Sequence, residues 1–166
     1  MKKELKILFD ATLYEDWSDL PEDYQRLMSE ARNATYEAYA PYSHFHVGAA
    51  ILLADGSILS ANNQENSSYP CGACAEQSLL YYYGASARRS PIVAMAITAR
   101  RAEKKDFLKI APCGKCRQVM LETYHRQKQA YTILLEYGGG QFLSLPSIEV
   151  LLPCDFNPDI LQEIKP

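Results

Sequence analysis

The sequence predicts an α/β fold, a three-layer α/β/α sandwich around a mixed sheet of about five strands. Three observations carry that expectation. From residue 74 onward, strand-like and helix-like segments alternate, and such alternation places helices on the faces of a sheet. Ile92-Val93-Ala94-Met95-Ala96-Ile97-Thr98 is apolar on both strand faces, as a strand covered on both sides requires. Ahead of it an apolar run stops at Asp55-Gly56 and resumes at Ile58, the pattern of a buried strand, a tight turn and an antiparallel return.

Taken in order, the elements are as follows. Residues 1–20 form an N-terminal extension, with residues 6–11 as a possible short strand, packed on the domain or on a partner subunit. Residues 21–166 form a single domain. Ser18-Asp19-Leu20-Pro21-Glu22 opens a helix with a polar cap candidate, an early proline and acids in its first turn. Leu27, Ala31, Ala34 and Ala38 recur at helical spacing, and Pro41 predicts an end near Ala40. An aromatic loop, 41–45, leads into the strand 47–53 and its return at 58–60. Asn62-Asn63-Gln64-Glu65-Asn66 is too polar for core. A helix over 74–83 stops near Gly84, and the strand 92–98 follows. A helix over 114–124 turns Val119, Met120 and Tyr124 inward. Strands over 131–135 and 141–145 flank Gly138-Gly139-Gly140. A last helical segment begins near Pro146-Ser147, and the tail carries Phe156 and Pro158.

The bulk numbers narrow the function. The chain has 166 residues, 48% hydrophobic and 22% charged, with a formal net charge of -3. It is long enough for one domain with a real core. The negative balance argues against a nucleic acid polymer as partner. No apolar run approaches the ~20 residues of a membrane span, and the first residues lack the pattern of a secretory signal. The chain is therefore expected in the cytoplasm, where clustered cysteines signal metal or catalysis rather than disulfides.

Those cysteines form two pairs, Cys71/Cys74 and Cys113/Cys116, each spaced C-x-x-C, a zinc signal. Spacing alone allows two sites. Four thiolates make a closed structural site, and three thiolates make an open catalytic one. Glu76 favours the second, because it stands two residues beyond Cys74 at a helix start. There its carboxylate reaches a ligand of the metal without binding the metal, as a hydrolytic base must. Both clusters sit at predicted helix N-termini, where free N–H groups and the helix dipole stabilise thiolates.

Cys74-Ala75-Glu76 with Pro112-Cys113-x-x-Cys116 resembles the cysteine form of the zinc-deaminase signature, which has a non-ligand Glu as general acid and base. The wider pattern is similar to the small, three-cysteine, homotetrameric cytidine deaminases. It includes Tyr42-Ser43-x-Phe45-x-Val47-Gly48-Ala49-Ala50, Asn63-x-Glu65-Asn66, Tyr69-Pro70, Cys113-Gly114-x-Cys116-Arg117-Gln118 and Leu151-Leu152-Pro153-x-x-Phe156. The resemblance spans about residues 21–160.

It implies zinc-dependent hydrolysis of cytidine and deoxycytidine to the uracil nucleosides and ammonia, in pyrimidine salvage. It implies Zn2+ held by Cys74, Cys113 and Cys116, with Glu76 moving protons. It also implies a nucleoside held by Asn63 and Glu65 at the ribose, with Phe45 against the base, Tyr42 at the sugar and the Ala75 backbone at the pyrimidine edge. Phe156 would reach the base of a neighbouring subunit in a homotetramer. Blander roles stand beside these: Asn63 and Glu65 satisfying loop backbone, Phe45 and Tyr42 as core, Phe156 as an anchor of the tail. Alternative functions are a same-fold deaminase of a modified nucleoside (the blasticidin S type), or of a free base, and a non-enzymatic four-cysteine zinc module. The sequence departs from the family at Gln77, where three-cysteine members carry an arginine that offsets thiolate charge. That leaves the compensation to helix dipoles, Arg117 or Lys115. It also departs at Cys71, which matches no family ligand and is expected to stay off the metal.

Overall fold

The structure, a computed structural model, describes residues 2–87 and 90–156; Pro158 and the domain's predicted end at residue 166 lie outside them. Among the described residues six strands form one mixed sheet, with three α-helices on its faces. In chain order these are β1 (Thr12–Tyr14), α1 (Glu22–Ala34), β2 (Phe45–Leu53), β3 (Ile58–Asn62), α2 (Ala75–Ala85), β4 (Ile92–Arg101), α3 (Gly114–Gln127), β5 (Thr132–Gly138) and β6 (Gln141–Leu145). The sheet order is β1-β6-β5-β4-β2-β3. Among the strand pairings of the described residues only β4–β5 is parallel; α3 makes its crossover.

The three layers follow from the period of two along the central strands. Ala50 and Leu52 of β2, with Ala94 and Ala96 of β4, pack against Leu27, Met28 and Ala31 of α1. The alternate residues Ala49, Ile51, Met95 and Ile97 pack on the other face against Leu79, Leu80, Met120 and Leu121 of α2 and α3. Val119 and Tyr124 are partly buried against that second cluster, as expected. Helix α1 lies close on the sheet because residue 48 is glycine: a Cβ there would stand 2.0 Å from the Ala31 carbonyl oxygen.

Three expectations need correction. The sheet has six strands, not about five. The extra one is Thr12–Tyr14, which pairs antiparallel with β6 at Phe142, Leu143 and Ser144, whereas residues 6–11 are not strand and lie exposed. Helix α1 stops at Ala34 rather than near Ala40. The Thr35 hydroxyl donates to the Arg32 carbonyl at 2.7 Å, and the chain tightens into a 3₁₀ turn, Thr35–Glu37. Tyr39 is then drawn into a bridge with Gln64, its N–H donating to the Asn63 carbonyl. The last helical segment is a single 3₁₀ turn, Ile148–Leu151, capped by Ser147. Among the described residues no helix is long and apolar enough to cross a membrane.

Candidate metal centre and substrate cleft

Both cysteine clusters sit where helices begin. Cys74 is the N-cap of α2 and Cys113 the N-cap of α3, with nearly equal backbone angles (φ -70 and -69, ψ 157 and 165). Because both helices lie on one face of the sheet, their N-termini converge. The sulfurs of Cys74, Cys113 and Cys116 all lie within 4.8 Å of one another, with Cys113 and Cys116 at 3.4 Å. Three thiolates on a tetrahedral zinc at about 2.3 Å are separated by roughly 3.8 Å, so the cluster fits one such ion. Cys71 is exposed, not a member of this cluster, and its thiol faces the Ser68 hydroxyl at 3.7 Å.

The sulfurs are not equivalent. The Cys116 thiol donates to Cys74, and this holds Cys74 down to about 7 against the opposing effects of burial and of Glu76. The same contact and burial push Cys116 up. Gln77 lies on the first turn of α2, 2% exposed. Its Nε2 donates to the Cys116 sulfur at 3.5 Å. The position that lacks an arginine thus supplies a neutral donor. Arg117 is used elsewhere: its guanidinium donates to the carbonyls of Pro112 and Leu151, each at 2.9 Å. Lys115 acts only through space, lowering Cys74 slightly.

Glu76 is 4% exposed beside these sulfurs. Burial raises its pKa, partly opposed by its own backbone N–H and by the Cys116 thiol. A carboxyl group in such a place exchanges a proton nearer neutral pH than a solvated one does.

A cleft of about 770 Å³ opens above the cluster. Phe45, Asn63, Glu65, Cys74, Glu76 and Cys113 all line it, so the structure brings six of the sequence-predicted residues to one cavity. Cys116 lies buried beneath. Asn63 holds the start of β2 in place: its Oδ1 accepts from Val47 N–H at 2.8 Å and its Nδ2 donates to the Phe45 carbonyl at 2.9 Å. Glu65 Oε2 accepts from the N–H groups of Tyr42 (2.9 Å) and Ser43 (3.3 Å). The Ser43 side chain, first, and these amides hold its carboxyl below the usual range against partial desolvation. The backbone role weighed from the sequence is therefore real for both residues, and both still face the cleft.

Tyr42, Ala75 and Phe156 do not line the cleft. Tyr42 is half-exposed and stands edge-on to Tyr69, a lining residue, with ring centroids 6.2 Å apart. Ala75 is fully buried at the first position of α2, between Cys74 and Glu76. Phe156 is 57% exposed on the tail, its carbonyl accepting from Gln118 Nε2 at 3.0 Å. Sequence reasoning missed the wall formed by Lys109, Ile110 and Ala111. Its sole signal was adjacency to Pro112-Cys113.

The family model for the cytidine and deoxycytidylate deaminase zinc-binding region matches residues 21–132. The chain is 41% identical over 109 residues to a cytidine deaminase of Halalkalibacterium halodurans, covering 66% of this chain and 78% of that protein. It is 39% identical over 139 residues to one from Sporosarcina psychrophila, covering 84% and 95%. Among solved structures, cytidine deaminase from Burkholderia pseudomallei superposes with a TM-score of 0.68 at 36% identity, covering 80% of this chain and 98% of that one.

Proposed function

The chain belongs to the cytidine and deoxycytidylate deaminase family, and from that premise we propose that it hydrolyses cytidine and deoxycytidine. One water is consumed and ammonia released, giving uridine or deoxyuridine, a step of pyrimidine salvage. The observation that carries this reading is the placement of Glu76, buried beside three converging sulfurs and opening onto a cleft that also holds Asn63 and Glu65.

Cys74, Cys113 and Cys116 would hold Zn2+, which when bound supplies Lewis acidity for the attack of water on the amino-bearing ring carbon. That three sulfurs cluster, rather than four, supports a catalytic role over a structural one. Glu76 is the proton carrier. Its carboxylate takes a proton from the attacking water and delivers it to the ring nitrogen next to the reacting carbon; it then carries the proton of the newly added hydroxyl to the amino group, which leaves as ammonia as the carbonyl forms. Its near-complete burial keeps bulk water from competing for that proton.

Asn63 and Glu65 are the ribose-binding pair, since an amide and a carboxylate between them donate to and accept from sugar hydroxyls. Their bonds to Tyr42, Ser43, Phe45 and Val47 preorganise them. An anionic Glu65 also disfavours a phosphate placed beside it, which favours the nucleoside over its phosphate and over a nucleic acid polymer. Phe45 packs on the base, and the backbone of Ala75, between Cys74 and Glu76, meets the pyrimidine edge. Tyr42 borders the sugar from beside Tyr69. Phe156, exposed on its own subunit and outside its own cleft, completes a neighbour's pocket in a homotetramer. Residues 1–20 are an extension of one catalytic domain, 21–166, that works in the cytoplasm.

The test is loss of cytidine absorbance with ammonia release, on protein of measured zinc content, for the wild type and for Glu76→Gln. Turnover by the wild type is expected, with zinc retained and the rate reduced by about 10²–10⁴ in the variant. A folded, zinc-loaded wild type inert on cytidine and deoxycytidine would refute the proposal. So would a fully active Glu76→Gln.

A further inference from the structure

Tyr14, Trp17 and Leu20 pack on the α1 face of the sheet, opposite the two cysteine helices, and none of the three lines the cleft. Their contacts nevertheless lead to it. The Arg32 guanidinium of α1 lies among three rings, with its central carbon 4.9 Å from the centroid of Trp17, 4.5 Å from Phe107 and 5.3 Å from Phe142. It is paired bidentately with Glu136 at 2.7 and 3.1 Å. Glu136 is 1% exposed and also accepts from the Thr98 hydroxyl at 3.0 Å. The backbone carbonyl of that same Glu136 accepts from Ile110 N–H at 3.1 Å, and Leu108 N–H donates to the Ala99 carbonyl at 2.8 Å.

We infer that Trp17 is a positioning residue for the substrate cleft, acting through Arg32 and Phe107 on the wall Lys109-Ile110-Ala111 that runs into Cys113. The wall segment is held at two kinds of point. Two backbone bonds tie it to β4 and β5, and the Phe107 ring stacks on Arg32. Trp17 also meets that guanidinium, its ring centroid 4.9 Å from the central carbon, and packs edge-on against Phe142, with centroids 5.7 Å apart. Its indole keeps water off the Arg32–Glu136 pair, and cation–π attraction fixes the guanidinium plane on which Phe107 rests. Removing the indole frees the guanidinium to turn outward. Phe107 and the amides of Leu108 and Ile110 then lose their fixed seat, and the wall moves relative to the sulfur cluster. The extension thereby gains a role in substrate binding without contacting substrate.

The experiment compares Trp17→Ala, Trp17→Phe and Tyr14→Ala. Tyr14 packs on the same apolar cluster but does not stack on Arg32. Two readouts are used, cytidine kinetics and hydrogen exchange at the amides of Leu108 and Ile110. The kinetic arm rests on the deaminase reading; the exchange arm does not. For Trp17→Ala the expected result is a KM about tenfold higher with kcat and zinc content nearly unchanged, and amide exchange at 108 and 110 about tenfold faster. Trp17→Phe restores both, and Tyr14→Ala lowers the melting temperature without changing either. Should Trp17→Ala not fold, Phe107→Leu replaces it with the same expected shifts. Exchange at 108 and 110 equal to wild type, an equal response to Tyr14→Ala, or no rescue by phenylalanine would overturn the inference. If the wild type turns over no cytidine, the functional reading fails and exchange alone decides this one.

Discussion

Gln77→Leu isolates the way this protein compensates thiolate charge. Leucine fills nearly the same space as glutamine but offers no donor, so the Cys116 sulfur loses the Nε2 contact at 3.5 Å. The site is 2% exposed, so water does not readily replace the lost donor. A hydrogen bond to a charged acceptor contributes about 1.5–3 kcal/mol. Sulfur is a diffuse acceptor and the contact is long, so the lower end applies, about 1.5 kcal/mol. That corresponds to roughly a tenfold weaker zinc affinity. Competition against a chromophoric chelator, at fixed pH and salt, reads this directly. The melting temperature of the metal-free variant is the control. It is expected to stay within about 2 °C of wild type, because a buried apolar substitution of similar volume changes packing little. A zinc affinity within twofold of wild type, in a variant that folds normally, would refute the reasoning. Thiolate charge would then be balanced without Gln77.

Four further outcomes follow from the packing and hydrogen bonds. Glu136→Ala strands the Arg32 guanidinium among its rings and removes the acceptor of Thr98; breaking such a buried pair should cost about 3–5 kcal/mol and lower the melting temperature by on the order of 10 °C. Gly48→Ala forces a methyl against the Ala31 carbonyl, 2.0 Å away in the native fold. Because that neighbour is backbone, α1 must shift, and denaturant titration should show a loss of about 3 kcal/mol or more. Asn63→Ala removes the bonds to Val47 and Phe45, so it should lower stability by about 2 kcal/mol as well as raise KM. Glu76→Gln, in contrast, should change rate and leave the unfolding midpoint nearly unchanged. Equal stability of Asn63→Ala and wild type would show that the side chain's strand-pinning bonds contribute little.

How much of this was legible depends on the range over which each feature is determined. Strands β2 and β4 announce themselves because both of their faces are largely apolar, the pattern of a strand buried on both sides. The Cys74-x-Glu76 and Cys113-x-x-Cys116 spacings are local, and helix geometry alone brings each set to one end of its helix. What the sequence hides is non-local. Strand β1 has two exposed residues and one half-buried, and exists because β6 offers an edge to pair with. Helix α1 stops at Ala34 because a distant segment, around Asn63 and Gln64, captures Tyr39. The cleft wall at 109–111 carries no periodicity or turn signature. It lies where it does because Phe107 reaches a guanidinium on α1 and Ile110 reaches a carbonyl on β5. Asn63 stood out through the resemblance, as a ribose contact, but its pair of bonds to β2 could not be read without the register.

The arrangement around the sulfurs also explains how a site without an arginine beside them remains chemically workable. Cys74 and Cys113 occupy N-cap positions, and neither makes a capping hydrogen bond through its side chain. The first-turn N–H groups of two helices, 11 and 14 residues long, therefore keep their partial positive charge directed toward the cluster. Each N-terminus acts as roughly half a positive charge, so two together approach the single charge that an arginine would bring. Gln77 adds a donor at Cys116, the most buried of the three sulfurs. Arg117 contributes by shape: bound to the Pro112 and Leu151 carbonyls, it fixes the turn that aims Cys113. Charge compensation is thus spread mainly over backbone dipoles and a neutral amide, with Lys115 adding a small through-space contribution. The dipoles and the amide neither leave the site nor titrate, whereas a long cationic side chain can swing away from it.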